Sequence, residues 1–188
     1  MKGKSLLFVN YSVDAFSTEN TNNYSAIEKT TSYSSSPLYG NSQAYKKEYC
    51  VYKKMLNKDI KHGVYSQCTG YTKNPTAKNL DSLFNGKYIV NKRFSKRVPY
   101  VITIDGKVII GSRNGNGKNP NALPTPHPTL IGGRNPKVRM AGILDIRGGK
   151  IYSYDNRSGH YRPNIKSIKW ADEAFKKFPK DKRFKGGK

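Results

Sequence analysis

Two of the three histidines in the chain lie at the ends of one segment, residues 127–163. His127 begins the run His127-Pro128-Thr129, and His160 lies within Ser158-Gly159-His160-Tyr161-Arg162-Pro163. Histidine can both take and give a proton near neutral pH, because its ordinary pKa is about 6.5. Two such groups in a strongly basic chain indicate proton-transfer chemistry on an anionic substrate.

The charge of the chain is large and uneven. Lys and Arg number 35 against 12 Asp and Glu, which gives a net charge of +23. Residues 87–188, the half that holds both histidines, carry 24 of the basic and 6 of the acidic side chains. This exceeds what solubility requires and predicts an anionic partner, with RNA as the first candidate and an acidic protein as the second. No stretch is long enough to span a membrane, so no membrane partner is expected. A basic surface that only meets solvent is the simplest competing interpretation.

Cleavage of RNA requires a base for the 2′-hydroxyl proton, an acid for the leaving 5′-oxygen and cations for the developing charge. His127 and His160 could supply the base and the acid, and Tyr161 is a third candidate catalytic residue through its ring or its hydroxyl. His62 is expected to be an ordinary surface histidine. Five further side chains are candidates for contacts to phosphate: Thr129, Lys150, Arg157, Ser158 and Arg162. Each of them is also compatible with packing or with a solvated surface.

Metal chemistry finds little support in the sequence. Carboxylates are too sparse for the clamp of a two-metal nuclease. The two cysteines, Cys50 and Cys68, form neither a disulfide framework nor a zinc pattern with histidine. We therefore expect no metal, and no cofactor for the RNase reaction.

The pattern of apolar residues and turns predicts an α+β fold with an N-terminal helical or irregular region, a central antiparallel β-sheet and a C-terminal helix. Tyr45, Tyr49, Tyr52 and Leu56 have the spacing of one helix face, which predicts a helix over residues 44–56. The remaining predicted elements are strands at 87–90, 100–104, 107–110, 138–146 and 150–154, a loop at 112–126, a helix at 167–178 and a basic tail at 180–188.

The predicted domain organisation has two parts. Residues 1–45 are rich in Ser, Thr, Asn and Tyr and are expected to form a loosely structured arm. Residues 46–188 are expected to form one basic domain, in which the β-rich half, residues 87–165, carries the site.

A longer motif runs through this half: His127-Pro128-Thr129-Leu130-x-Gly132-Gly133, then Ala141-Gly142, Gly149-Lys150-Ile151 and the Ser158–Pro163 run. Over about residues 98–178 it resembles the C-terminal toxin domains of bacterial polymorphic toxins and secreted effectors, and a similar run occurs in plant calmodulin-binding proteins. The resemblance implies a secreted or delivered effector that acts in the target-cell cytoplasm. It also implies an acidic immunity protein as a partner.

The end of the motif also resembles the barnase/EndoU class of metal-independent RNases, in which a late strand leads into a catalytic His followed by Tyr. That resemblance implies His160 as the acid and His127 as the base. Barnase-like enzymes use a glutamate base, and the only Glu in this half is Glu173 in the predicted final helix. A two-histidine scheme, as in the EndoU class, therefore fits the residues better.

Two other functions stay open on the sequence. A mono-ADP-ribosyltransferase toxin would use NAD as its cofactor, but such domains usually carry a catalytic Glu or Gln, and no Glu lies between Glu48 and Glu173. A non-catalytic module that binds nucleic acid would use the same basic charge and keep the histidines as structural residues. Turnover of RNA distinguishes the enzyme from the binding module.

Overall fold

The computed structural model describes residues 43–114 and 125–188 of the chain. The predicted arm at residues 1–45 therefore lies outside the described residues, apart from its last three positions. The same holds for most of the loop predicted at 112–126.

A five-stranded antiparallel sheet forms the centre of the fold, which confirms the predicted α+β class. Its strand order is β3-β5-β4-β6-β7, and a separate pair, β1 and β2, lies earlier in the chain. The strands are β1 Tyr65–Ser66, β2 Gly70–Tyr71, β3 Lys78–Asn79, β4 Lys96–Ile102, β5 Val108–Ile110, β6 Met140–Arg147 and β7 Lys150–Tyr154. The helices are α1 Lys53–Lys61 and α2 Ile168–Phe175, with 3₁₀ turns at Asp81–Leu83, His127–Leu130 and Ile165–Ser167.

The two faces of the sheet bury different sets of side chains, because successive residues of a strand point to opposite faces. One face packs against α2 through a cluster that includes Tyr100, Leu144, Ile146, Ile151 and Phe175. The other face carries a smaller cluster formed by Tyr49, Val101, Leu130, Val138, Ala141 and Tyr161. The second cluster holds the 3₁₀ turn of His127 against the sheet.

Both predicted hairpins and the C-terminal helix are confirmed. β4 and β5 pair antiparallel across the turn at Asp105-Gly106, and β6 and β7 pair across Gly148-Gly149. Helix α2 is shorter than predicted, since a 3₁₀ turn precedes it and the residues after Phe175 leave the helix.

The helix predicted over residues 44–56 is wrong in its first part. Residues 43–52 are not helical, and α1 begins only at Lys53. Tyr49 instead forms an isolated bridge with Val138, with backbone hydrogen bonds of 2.7 and 3.0 Å. The tyrosine spacing imitated a helix face, but only Tyr49 is buried, and Tyr45 and Tyr52 are exposed. The backbone N–H and C=O of Tyr49 therefore bond to a distant segment of the chain and not within a helix.

The strand predicted at residues 87–90 is also wrong. Ile89 makes only an isolated bridge with Phe84, and Val90 adopts a φ of 64°. Such a φ is rare for a β-branched residue and interrupts any regular strand.

The predicted basic tail pairs with the edge of the sheet. Its backbone donates to β7 in three places, from Asp181 to Ile151 at 2.8 Å, from Lys185 to Tyr152 at 2.9 Å and from Lys188 to Tyr154 at 2.9 Å. These bonds cover an edge whose polar backbone groups would otherwise be unpaired.

Candidate active site

His160 is held by the carboxylate of Asp59, which is distant from it along the chain. Its Nε2 lies 3.0 Å from Oδ2 of Asp59, and the hydroxyl of Tyr71 donates to the same oxygen at 2.6 Å. The side chains of Asp59 and His160 are largely buried, with 9% and 13% of their surfaces exposed. A carboxylate in this position fixes the ring and its tautomer, because it can only accept a proton from Nε2 and leaves Nδ1 for other work.

Three separate elements bring this group together. Asp59 projects from the buried side of α1, and Tyr71 comes from β2. His160 lies in the turn after β7, and its carbonyl accepts a hydrogen bond from the backbone of Tyr52 at 2.7 Å, just before α1. Burial and the hydrogen bond to Asp59 both raise the pKa of Tyr71, so its phenol stays protonated and remains a donor.

His127 lies in a 3₁₀ turn and bonds to the sheet. Its Nε2 is 2.9 Å from the carbonyl of Gly142 in β6. A carbonyl only accepts, so Nε2 carries the proton and Nδ1 carries the lone pair. Within the described residues, nothing forms a hydrogen bond to that Nδ1. The atom is also not fully enclosed by these residues.

The environment of His127 keeps its ring neutral. Burial lowers its pKa to about 3, partly offset by the hydrogen bond to Gly142. Electrostatic interactions with His160 and Arg113 lower this pKa further. Leu130, in the turn of His127, and Tyr161, next to His160, belong to the same cluster, so both histidines lie on one face of the sheet, and Arg113 is exposed.

The close approach of Gly142 to Asp155 supports this arrangement. A Cβ added at Gly142 would lie 1.8 Å from the carbonyl oxygen of Asp155, so only glycine fits there. The Asp155 carboxylate accepts from the backbone of Ile143 at 2.8 Å and pairs with Arg157 at 2.9 Å. The carbonyl that binds His127 and the turn that leads to His160 are thus joined at one glycine.

Tyr161 is a core residue. Its side chain is fully buried, and its hydroxyl donates to the carbonyl of Pro136 at 3.1 Å. Burial raises the pKa of this phenol. The placement argues against stacking on a base or proton transfer, because the ring does not reach the surface.

The five predicted phosphate contacts are dispersed. Thr129 and Ser158 are buried, and their hydroxyls bond locally to Pro126 and to the backbone of Tyr161. Arg157 is occupied by Asp155, as described above. These three residues support the loops that carry the histidines.

The remaining two cations lie at different distances from the histidines. Arg162 follows His160 closely, and its guanidinium lies 4.2 Å from the ring centre of Tyr52. Lys150 pairs with Arg147, which is five residues beyond Gly142 on β6 and so about 17 Å away at ~3.4 Å per residue. His62 is exposed, as expected.

Sequence reasoning did not single out three residues of this candidate site, namely Asp59, Tyr71 and Arg113. Asp59 is 101 residues from His160, and no local pattern distinguishes it from other acids on helix surfaces. One signal was present in the sequence. Asp59 is the only acidic residue in a basic stretch that includes Lys58, Lys61 and His62.

Comparisons of the chain with family models, with curated proteins and with solved structures found no match. Within residues 43–114 and 125–188, no cluster of three or more His, Cys, Asp or Glu side chains has the arrangement of a metal site. No helix in the same ranges is long and apolar enough to cross a bilayer. Both cysteines are free and exposed.

Proposed function

We propose that the chain is a metal-independent ribonuclease in which His127 is the general base and His160 the general acid. The observation that carries this proposal is the contrast between the two environments. Burial keeps His127 neutral, whereas Nε2 of His160 lies 3.0 Å from the Asp59 carboxylate, which can stabilise an imidazolium that forms during the reaction. A neutral imidazole that can accept a proton, together with a second imidazole backed by a carboxylate, is an arrangement suited to acid–base catalysis.

The proposed reaction forms one bond and breaks another at phosphorus. Nδ1 of His127 takes the proton of the 2′-hydroxyl, and O2′ attacks the phosphorus. The bond from phosphorus to O5′ breaks, and the leaving oxygen receives the proton from Nδ1 of His160. The products are a 2′,3′-cyclic phosphate and a 5′-hydroxyl. Asp59 stabilises the imidazolium of His160 before the transfer, as a buried carboxylate does for a catalytic imidazole.

Arg113 supplies the positive charge for the phosphate in this scheme. It is exposed and close enough to His127 to lower the pKa of that ring. A bound phosphate between them would compensate this cation and favour proton uptake by His127, because a nearby anion stabilises the charged imidazole. His127 therefore becomes a stronger base when substrate is bound. This increase is needed because a ring with a pKa of about 3 in the free protein is a weak base.

ADP-ribosyl transfer from NAD is less well supported by the same site. Such enzymes need a carboxylate or amide free to act on the substrate ribose. The buried carboxylate beside the histidines, Asp59, already accepts from His160 and from Tyr71 on one oxygen. A purely binding function is also less well supported, because it gives no role to a buried Asp–His pair beside a second, neutral histidine.

The biological setting that we propose is that of a toxin domain delivered into a target cell. A free RNase with this charge would need an inhibitor in the cell that makes it. An acidic immunity protein fits that need, since opposite charge speeds association and favours a cover over the site. Co-expression with candidate acidic proteins and measurement of residual RNA cleavage would test this partner.

The decisive experiment incubates the purified chain with RNA in EDTA, with and without NAD, and analyses the product ends. We expect cleavage in EDTA with 2′,3′-cyclic phosphate ends and no effect of NAD. His160→Ala should reduce the rate by about 10²–10⁴-fold, the usual contribution of a general acid. His62→Ala is the matched control and should keep the full rate. Full activity of His160→Ala, or a requirement for NAD, would refute the proposal.

A further inference from the structure

A second group of cations lies away from the histidines, at the hairpin end of β6 and β7. We define the cationic track as Lys87, Tyr88, Lys150, Arg147, Tyr152 and Lys185. The Nζ atoms of Lys87 and Lys150 lie 5.6 and 5.8 Å from the ring centre of Tyr88. Arg147 and Lys185 flank Tyr152 in the same way, at 3.4 and 5.5 Å. Arg147 and Lys150 are paired across the two strands, so the two groups form one continuous row.

Of the four cations in the track, only Arg147 has a carboxylate partner within the described part of the chain. Asp145 pairs with Arg147 at 3.0 Å, and Asp181 pairs with Arg183 at 3.5 Å. Within the described part of the chain, no carboxylate lies within ion-pair distance of Lys87, Lys150 or Lys185.

The tyrosine rings offset only part of the repulsion between these cations. An exposed cation–π contact contributes about 0.5–1 kcal/mol, and like charges that share a ring repel each other. The field acts on Tyr152 itself, whose pKa is lowered by its hydrogen bond to Lys185 and by the charges of Lys185, Arg147 and Arg183, against the effect of burial. A row of phosphates would relieve this repulsion.

The track and the active site share one face of the sheet. Ala141, Asp145 and Arg147 alternate with core residues along β6, so they project from the face whose cluster includes Ala141 and Leu130. That cluster holds the turn of His127. The track therefore lies about 17 Å from the carbonyl of Gly142, measured along β6 at ~3.4 Å per residue.

From this placement we propose that the cationic track binds the phosphate backbone of an RNA strand that extends from the active site, so that the substrate is a polynucleotide rather than a dinucleotide. The inference rests on the proposed ribonuclease function. Single-strand sites on proteins commonly cover about 4–16 nucleotides, which is long enough to reach both places. Tyr152 is nearly buried, so it positions the cations instead of stacking on bases. Recognition along the track is therefore independent of base sequence.

The test uses a triple variant, Lys87→Gln/Lys150→Gln/Lys185→Gln, and a matched control, Lys47→Gln/Lys53→Gln/Lys166→Gln, which removes three exposed lysines elsewhere. Binding of a labelled 16-nucleotide RNA and of a dinucleotide is measured in EDTA over a range of salt concentrations. Both triples carry His160→Ala, so that binding is measured without cleavage. Thermal melts check that each variant is folded.

We expect the track variant to bind the 16-mer at least tenfold more weakly than the control. The slope of log affinity against log salt should fall by about 2, since each phosphate contact on a single strand contributes about 0.7. Cleavage by the same triples with His160 intact should lose at least tenfold more on long RNA than on the dinucleotide. The binding arm decides the inference even if the wild-type chain cleaves nothing, in which case only the proposed function fails.

Three results would overturn the inference. The first is a track variant that binds the 16-mer as well as the control does. The second is an equal loss for the 16-mer and the dinucleotide, which would place these lysines in the active site or in folding. The third is a track variant that no longer binds poly-glutamate but binds RNA as well as the control does. This result would assign the surface to an acidic protein.

Discussion

Oδ2 of Asp59 lies 3.0 Å from Nε2 of His160, although 101 residues separate them in the chain. The hydroxyl of Tyr71 donates to the same oxygen at 2.6 Å. One buried carboxylate oxygen thus joins α1, β2 and the turn after β7. Because both donors converge on one atom, the orientation of the His160 ring depends on elements outside the β-rich half.

Asp59→Asn tests this dependence. The amide can still accept from Tyr71, but it is neutral and does not stabilise an imidazolium on His160. We expect a loss of about 10²–10⁴-fold in kcat on RNA with a small change in KM, because positioning and charge act in the transition state. Steady-state kinetics between pH 5 and 9 measure both effects.

Asp81→Asn is the control for that experiment. Asp81 forms a surface ion pair with Lys177, far more exposed than the pair of Asp59. Its removal should leave kcat and the pH profile unchanged, since exposed pairs contribute at most about 1 kcal/mol to stability. An Asp59→Asn enzyme with the wild-type kcat would show that the carboxylate serves folding alone.

Gly142→Ala tests the join between β6 and the turn that follows β7. The added methyl would overlap the carbonyl oxygen of Asp155, which cannot move as a flexible side chain would. We expect a destabilisation of about 1–3 kcal/mol by urea unfolding, from displaced backbone, together with reduced cleavage because the acceptor of His127 shifts. Gly106→Ala, at a φ of +83° with open space, controls for glycine replacement in general and should keep full activity. Equal activity of the two variants would contradict this role of Gly142.

The predictable part of the fold is the part specified by local pattern. The hairpin at Asp105-Gly106 and the hairpin at Gly148-Gly149 follow from turn chemistry between apolar runs, and both were expected from the sequence. The interpretation of residues 44–56 failed for the opposite reason. Tyr49 is buried by Val138, a partner 89 residues away, and nothing local distinguishes that pairing from a helix face.

The candidate site also combines residues that the sequence singles out with residues that only the fold selects. His127 and His160 were predicted as site residues because histidine is rare in this chain and chemically specific, and their catalytic role stays a prediction. Asp59 and Arg113 were missed because acids and arginines on surfaces look alike until the fold selects one. Lys150 was expected to contact phosphate beside the histidines, but the antiparallel strands carry it to the end of β6 opposite Gly142.

Tyr161→Phe separates packing from catalysis at the residue after His160. The change removes a hydroxyl that donates to the carbonyl of Pro136 in the core and leaves the ring in place. The free energy of unfolding should fall by about 1–2 kcal/mol, the effect of leaving a buried carbonyl without its donor. Cleavage of RNA should stay within about twofold of wild type. A loss of more than tenfold in kcat with the fold intact would restore Tyr161 as a catalytic residue.

The stability of the protein should depend on pH through His127. Its pKa is about 3 in the folded protein, because burial disfavours the charged ring, and about 6.5 when the chain is unfolded. Between these values the unfolded chain binds a proton that the folded protein does not. The contribution of a neutral His127 is therefore complete above pH 6.5 and is lost as the pH falls toward 3.

His127→Gln isolates this contribution, because the amide nitrogen can still donate to Gly142 and does not titrate. Urea unfolding at pH 4, 5, 6.5 and 7.5 should give a wild-type curve that falls more steeply below pH 6.5 than the curve of the variant. The difference should reach about 3 kcal/mol at pH 4, since each tenfold change in proton affinity corresponds to about 1.4 kcal/mol. Parallel curves would mean that His127 is charged or exposed in the folded protein. That result would contradict the burial of a neutral His127 ring in the folded protein.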